Sequence, residues 1–239
     1  MKVVLCGYNW IGCKVLDSLL ENGHQLYVYT HDNPPHVNSL IEYCEKRGID
    51  YSLKKIKADN LPFKPDIICS IYYRYIIDEH IIDLVDKKVF NLHPSLLPQY
   101  KGCSSLTWAM INGENETGFT YHYLTSRVDS GNIILQKKIL IEDWDTQVTL
   151  YHRVMFEAAK FFKKAFNLVK NGYEGIQQKK GGKYYKRETP HNGIINGRWN
   201  LQKKERFIRA MNYPPLPYAK YKNQEVKTFR EFLDIKKGK

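Results

Sequence analysis

The chain has 239 residues, 43% hydrophobic and 13% aromatic, with only 15 Gly and 10 Pro, which excludes collagen-like, low-complexity and charge-driven disordered classes and leaves a packed body of enzyme size. The formal charge of +12 is uneven: residues 1–169 carry 19 basic and 19 acidic side chains, whereas residues 170–239 carry 18 and 6, so the excess favours an anionic partner near the C-terminal end. The five cysteines are odd in number and lack Cys-x-x-Cys spacing, the pattern of reduced buried thiols, and the first apolar run is too short for a signal segment or a membrane span; a cytoplasmic protein is expected.

Val3 to Cys6 reads as a buried strand that runs into a Gly turn. Ile11, Val15, Leu16, Leu19 and Leu20 follow at helical spacing until Asn22-Gly23 stops them. Gln25 to Thr30 is a second strand, 32–36 a proline loop, and Ser39 to Arg47 a helix closed by Gly48. The alternation continues through a strand at Asp66 to Ile71, a helix at Asp78 to Val85 and a strand at Val89 to Leu92. This βα rhythm predicts an α/β fold: a Rossmann-like, mostly parallel sheet with helices on both faces.

After Leu92 come a Pro-rich loop to Gly102, a helix at Ser104 to Asn112 and two β-rich runs, Gly118 to Thr125 and Asn132 to Ile141, joined by a turn-rich Ser126 to Gly131. Thr146 to Lys170 carries the apolar stripe of a long amphipathic helix. Beyond Gly172 the chain turns basic and aromatic, with a hairpin expected around Gly181-Gly182 and a short helix at Gln202 to Met211. Residues 1–170 are thus expected to form the main domain and 171–239 a small basic extension with a β-hairpin.

The strongest chemical signal is Asn91-Leu92-His93-Pro94, continuing to Gly102, at the C-terminal end of a predicted strand, where open α/β sheets bind ligands. Asn91 and His93 are two apart, so on extended backbone an amide and an imidazole point to one side. Asp129, in the second turn, can reach an imidazole nitrogen if the two loops meet. Asn, His and Asp together can polarise a carbonyl and move one proton; alternatively Asn91 and His93 merely cap backbone groups. No Cys or His set has metal-ligand spacing, and no Gly-x-Ser-x-Gly elbow supports a serine nucleophile. Gly7 and Gly12 do not complete a dinucleotide fingerprint.

The segment Asn91 to Gly102, followed by Val128-Asp129-Ser130-Gly131 and Ile133-Ile134-Leu135-Gln136, resembles the N10-formyltetrahydrofolate-dependent formyltransferase superfamily. The resemblance covers roughly residues 1–170, with a weaker echo at Phe207-Ile208-Arg209-Ala210. It implies formyl transfer from N10-formyltetrahydrofolate to an amine, and places the family's Asn, His and Asp on Asn91, His93 and Asp129; no metal is expected, since the eight His are scattered. It further implies that main-chain groups of Tyr75 and Ile77 and of Leu124, Thr125, Arg127 and Val128 hold the pterin. Substrate phosphate would lie near Asn9 and Trp10, in the first turn.

Three acceptors compete within that resemblance. A purine precursor leaves the basic tail without a use, and an initiator-tRNA enzyme carries a full second barrel for which the C-terminal stretch is too short. A nucleotide-linked amino sugar, dTDP-linked by expectation, suits a basic stretch containing Trp199, Tyr213, Tyr218 and Tyr221, which also resembles the dimerising extension of sugar N-formyltransferases. Arg74, Arg198 and Trp199 then join Asn9 and Trp10 as candidate substrate contacts. The expectation is a homodimer serving lipopolysaccharide or O-antigen synthesis, with neither nucleic acid nor membrane as partner. A non-enzymatic RNA-binding or scaffold module leaves the grouping of Asn91, His93 and Asp129 without a purpose.

Overall fold

In the computed structural model, which describes residues 1–238, the first βα unit is β1 (Lys2–Gly7) and α1 (Asn9–Leu20). Next come β2 (Gln25–Tyr29), α2 (Leu40–Arg47), the short β3 (Tyr51–Ser52), β4 (Ile67–Ile71), α3 (Glu79–Leu84) and β5 (Val89–His93). Helix α2 begins where the Ser39 hydroxyl accepts from the Glu42 N–H, and ends on Gly48 in the left-handed region. The βα rhythm read from the sequence is therefore real, with element ends displaced by a residue or so.

The second half holds β6 (Lys101–Gly102), α4 (Ser105–Asn112), β7 (Glu116–Tyr123), β8 (Ile133–Leu140) and the long α5 (Gln147–Lys170). It closes with β9 (Tyr184–Tyr185), α6 (Leu201–Ala210), β10 (Ala219–Tyr221), β11 (Gln224–Val226) and α7 (Phe229–Lys237). Seven strands form one sheet in the order β3-β2-β1-β4-β5-β7-β8. The pairings from β3 through β5 are parallel, and β5 pairs with β7 antiparallel. Strand β1 lies between β2 and β4, so the chain winds outward from it in both directions, a switch point of the kind that binds ligands outside the strands' C-terminal ends.

Packing divides the chain into two compact units. The first comprises residues 1–93, 120–136 and 155–179, and the second 94–119, 137–154 and 180–239. In the first, the β1 and β4 strands are apolar and buried throughout Val3–Cys6 and Ile67–Cys69, as a strand covered on both sides must be. Phe162 of α5 stacks on Phe90 at 6.1 Å and meets Tyr121 edge-on at 6.3 Å. In the second unit α4 packs on α6, and Trp108, Tyr185, His191, Trp199 and Phe207 form a chain of ring contacts.

One expectation needs correction. Gly181-Gly182 is not a hairpin turn: β9, just after it, runs parallel to β6. The glycine is there for close backbone approach, since a Cβ on Gly182 would lie 1.6 Å from the Pro98 carbonyl oxygen, and sequence alone does not separate that role from a turn. The hairpin of the C-terminal stretch is β10–β11, turning through Lys222 and Asn223, both at positive φ. Cys6, Cys13, Cys44 and Cys69 are buried free thiols, and no helix among the described residues is long and apolar enough to cross a membrane.

Candidate active site

Strand β5 delivers the first two polar groups. Asn91 and His93 share one face because the strand stays extended to His93. The antiparallel partner β7 then sets the opposite wall: Asn91 pairs with His122 and His93 with Thr120. Thr120 is itself fixed by Gln136 of β8, whose Nε2 donates to its hydroxyl at 2.8 Å.

Asp129 arrives from the loop after β7. That loop folds on itself: the Thr125 and Ser130 hydroxyls both donate to the Arg127 carbonyl, at 3.0 and 2.8 Å. It is tied from outside by Gln178, whose Nε2 donates to the carbonyls of Asp129 (3.0 Å) and Gly131 (2.8 Å). Asp129 sits at φ 51°, a strained conformation for a non-glycine residue that the surrounding bonds hold in place. The result is a carboxylate with Oδ2 3.4 Å from His93 Nδ1 and Oδ1 3.4 Å from His122 Nε2. All three side chains are at least 93% buried. Such spacings are typical of sites that tighten when substrate arrives.

Asn91, His93 and Asp129 are therefore gathered in one place, within the first unit. His122 is a fourth member that sequence reasoning missed. It is fully buried, its Nδ1 lies 2.8 Å from the Tyr123 carbonyl oxygen, and its Nε2 lies 3.2 Å from Asn91 Nδ2.

Gly131 closes the loop where a side chain has no room, since a Cβ there would lie 2.0 Å from the Tyr123 carbonyl oxygen. Gly131→Ala must push the loop and Asp129 outward. A misplacement of this size is expected to lower kcat about 100-fold with a much smaller effect on the thermal midpoint; kcat and Tm measured on one preparation check both.

The segment after β4 lies beside the same core. Ile77 belongs to an apolar cluster with Val89, against which Tyr73 and Leu124 also pack, so the two segments expected around the pterin share one support. Tyr73 has a structural duty as well, its hydroxyl accepting from the Ile56 N–H at 3.0 Å. Among the described residues, the main-chain groups of Arg74 through Ile77 make no hydrogen bond within the protein. Backbone groups of this kind require a partner from solvent or ligand.

Just beyond the C-terminal end of β1, Tyr8 stacks on His31 at 4.1 Å and 12°, and Tyr75 meets Tyr73 edge-on at 5.3 Å. Arg74 lies over Tyr75 at 5.4 Å, and its positive charge partly offsets the burial that pushes the Tyr8 hydroxyl up. Asn9, at φ 52°, accepts from the Ile11 N–H and so shapes the start of α1; Trp10 packs on Phe156. Arg198 and Trp199 belong to the second unit, where Arg198 is exposed and Trp199 meets His191 and Phe207 with Lys203 above it. That unit also contains a cavity of about 370 Å³ lined by Glu114, Glu205, Arg206 and Arg209, with none of the four clustered polar residues in it. No group of three or more metal-ligating side chains is found among the described residues.

Residues 31–166 match a family described as formyl transferase. A GDP-perosamine N-formyltransferase of Brucella melitensis biotype 1 is 42% identical over 226 residues, covering 91% of this chain and 87% of its own. A sugar 3N-formyl transferase crystallised with dTDP and 5-N-formyl-THF superposes with a TM-score of 0.83 at 25% identity, over 95% of this chain and 85% of the other. The N-formyltransferase from Helicobacter canadensis, in complex with folinic acid and dTDP-3-aminofucose, gives 0.81 at 25% identity, over 95% and 86%.

Proposed function

The chain belongs to the formyl transferase family, and from that premise we propose that Asn91, His93 and Asp129 move a formyl group from N10-formyltetrahydrofolate to the amine of a nucleotide-diphosphate amino sugar. The protein is an N-formyltransferase with formyltetrahydrofolate as cosubstrate. The observation that carries the residue assignment is the convergence of a half-buried amide, a buried imidazole and a buried carboxylate at the C-terminal end of β5.

The amine attacks the formyl carbon, a C–N bond to the acceptor forms, and the bond to N10 breaks as N10 takes up a proton, so that the proton lost by the amine ends on the departing tetrahydrofolate. Asn91 donates to the formyl oxygen as charge grows there, and His93 donates from Nε2 in its doubly protonated form, with its Nδ1 proton facing Asp129. Asp129, facing His93 Nδ1, keeps the other ring nitrogen directed at the substrate and accepts, directly or through water, the proton shed by the amine. The pterin takes the unpartnered backbone of Arg74 to Ile77 together with Leu124, Thr125, Arg127 and Val128. Arg74, Asn9 and Trp10, at the start of α1, hold the diphosphate, where backbone N–H groups and positive charge favour an anion.

The base is guanine in this reading. The relative at 42% identity acts on GDP-perosamine, whereas the structures seen with dTDP compounds stand at 25%. Residues 171–239 supply the positive field and self-association, Trp199 serving the packing of the second unit, and the enzyme works in the cytoplasm on a precursor of surface polysaccharide. Purified protein, N10-formyltetrahydrofolate and matched GDP- and dTDP-linked amino sugars test the reading by mass spectrometry. A GDP-sugar product heavier by one CO is expected; turnover of the dTDP sugar alone would exchange the base, and formylation of methionyl-tRNA alone would overturn the acceptor class.

A further inference from the structure

His122 is absent from the residues that the mechanism uses, yet it touches two of them. Its Nδ1 faces the Tyr123 carbonyl oxygen at 2.8 Å. A carbonyl can only accept, so the proton of the neutral ring sits on Nδ1 and Nε2 is left as an acceptor. Asn91 Nδ2 lies 3.2 Å from Nε2. Only the NH2 end of an amide complements a bare ring nitrogen.

We propose that His122 is a positioning residue which fixes the orientation of the Asn91 amide, so that Asn91 presents an N–H rather than its oxygen to the substrate carbonyl. One amide hydrogen is held by His122 Nε2, and the second is the donor for the formyl oxygen. This rests on the role proposed above for Asn91. Without His122 the amide is free to turn by 180° about its terminal bond, placing Oδ1 where negative charge develops. The ring is fully buried and pinned by the cross-strand register of Asn91 on His122, so the orientation is set before substrate arrives.

The groups facing the ring are Asp129, with Oδ1 3.4 Å from Nε2, and His93, whose ring centroid is 6.4 Å away. A ring carrying a proton on Nε2 would donate to Asp129 and draw the Asn91 oxygen inward, the opposite arrangement. The two arrangements differ in an observable that needs no substrate: the protonation state of Nε2.

Two variants and one spectrum test the proposal. His122→Asn keeps a polar group near the Nδ1 position and removes the one near Nε2, whereas His122→Gln restores the latter. Formyl transfer by His122→Asn is expected to fall about 10- to 100-fold in kcat with KM for both substrates within about threefold, and His122→Gln is expected to recover most of the loss. Equal kcat for the two folded variants, or a loss confined to KM, overturns the proposal. Should either variant fail to fold, long-range ¹⁵N NMR of the wild-type imidazole decides: a protonated Nδ1 with a bare Nε2 is expected, and a proton on Nε2 overturns it. Wild-type protein that formylates no amino sugar would instead count against the acceptor assigned above, and the spectrum would still judge His122.

Discussion

Asp129→Asn is expected to lower kcat for formyl transfer by about 1,000-fold, within the range for loss of a positioned general base, while the protein remains folded. Asparagine has nearly the same shape and can keep the hydrogen bond from Gln178, which engages the Asp129 main-chain oxygen and not its carboxylate. What is lost is the negative charge 3.4 Å from His93 Nδ1 and the site that takes the proton from the amine. Steady-state kinetics with circular dichroism and a thermal scan check the prediction; a folded Asp129→Asn enzyme within tenfold of wild type would remove Asp129 from the proton path.

Asn91→Ala is expected to cost about 100- to 1,000-fold in kcat, as loss of one well-placed oxyanion donor does. Binding of the reduced folate should survive, because the groups assigned to the pterin are main-chain atoms of the Arg74 to Ile77 and Leu124 to Val128 segments. A thermal-shift titration with 5-formyltetrahydrofolate separates the two effects, since ligand stabilisation depends on affinity for the folded protein alone. A variant that loses both catalysis and folate stabilisation would assign Asn91 to binding instead.

The parts of the fold that rest on local pattern were legible. Buried runs such as Val3–Cys6 and Ile67–Ile71, each followed by a helical stripe, read as strands of a covered parallel sheet, and they are. Asn91 and His93 were legible for the same reason, since a spacing of two on extended chain fixes a shared face. Asp129 stands out in its turn as a group able to reach an imidazole and receives its role from the family resemblance, but the geometry that brings it to His93 depends on the loop closed by Gln178, far along the chain.

His122 was hidden by its register. Its place opposite Asn91 follows only from the antiparallel pairing of β5 with β7, and nothing in Tyr121-His122-Tyr123 separates a site residue from one buried in a strand. Strands β6 and β9 are two residues each, too short for a periodic signal, and so in sequence the Gly181-Gly182 pair has only the look of a turn. The start of α7 at Thr228, whose hydroxyl accepts from the Glu231 N–H, is a capping signal legible within the basic stretch.

The seating of α6 on α4 has a consequence for biosynthesis. Leu106, Ala109, Met110 and Ile111 leave the ribosome long before Phe207, Ile208 and Ala210 are translated. Their nascent chain waits with this greasy surface naked, the condition under which polypeptides clump or recruit chaperones. A premature stop codon ahead of Leu201 would make that wait permanent and send the product to inclusion bodies, even though every residue of the β5–β7 cluster had already been made.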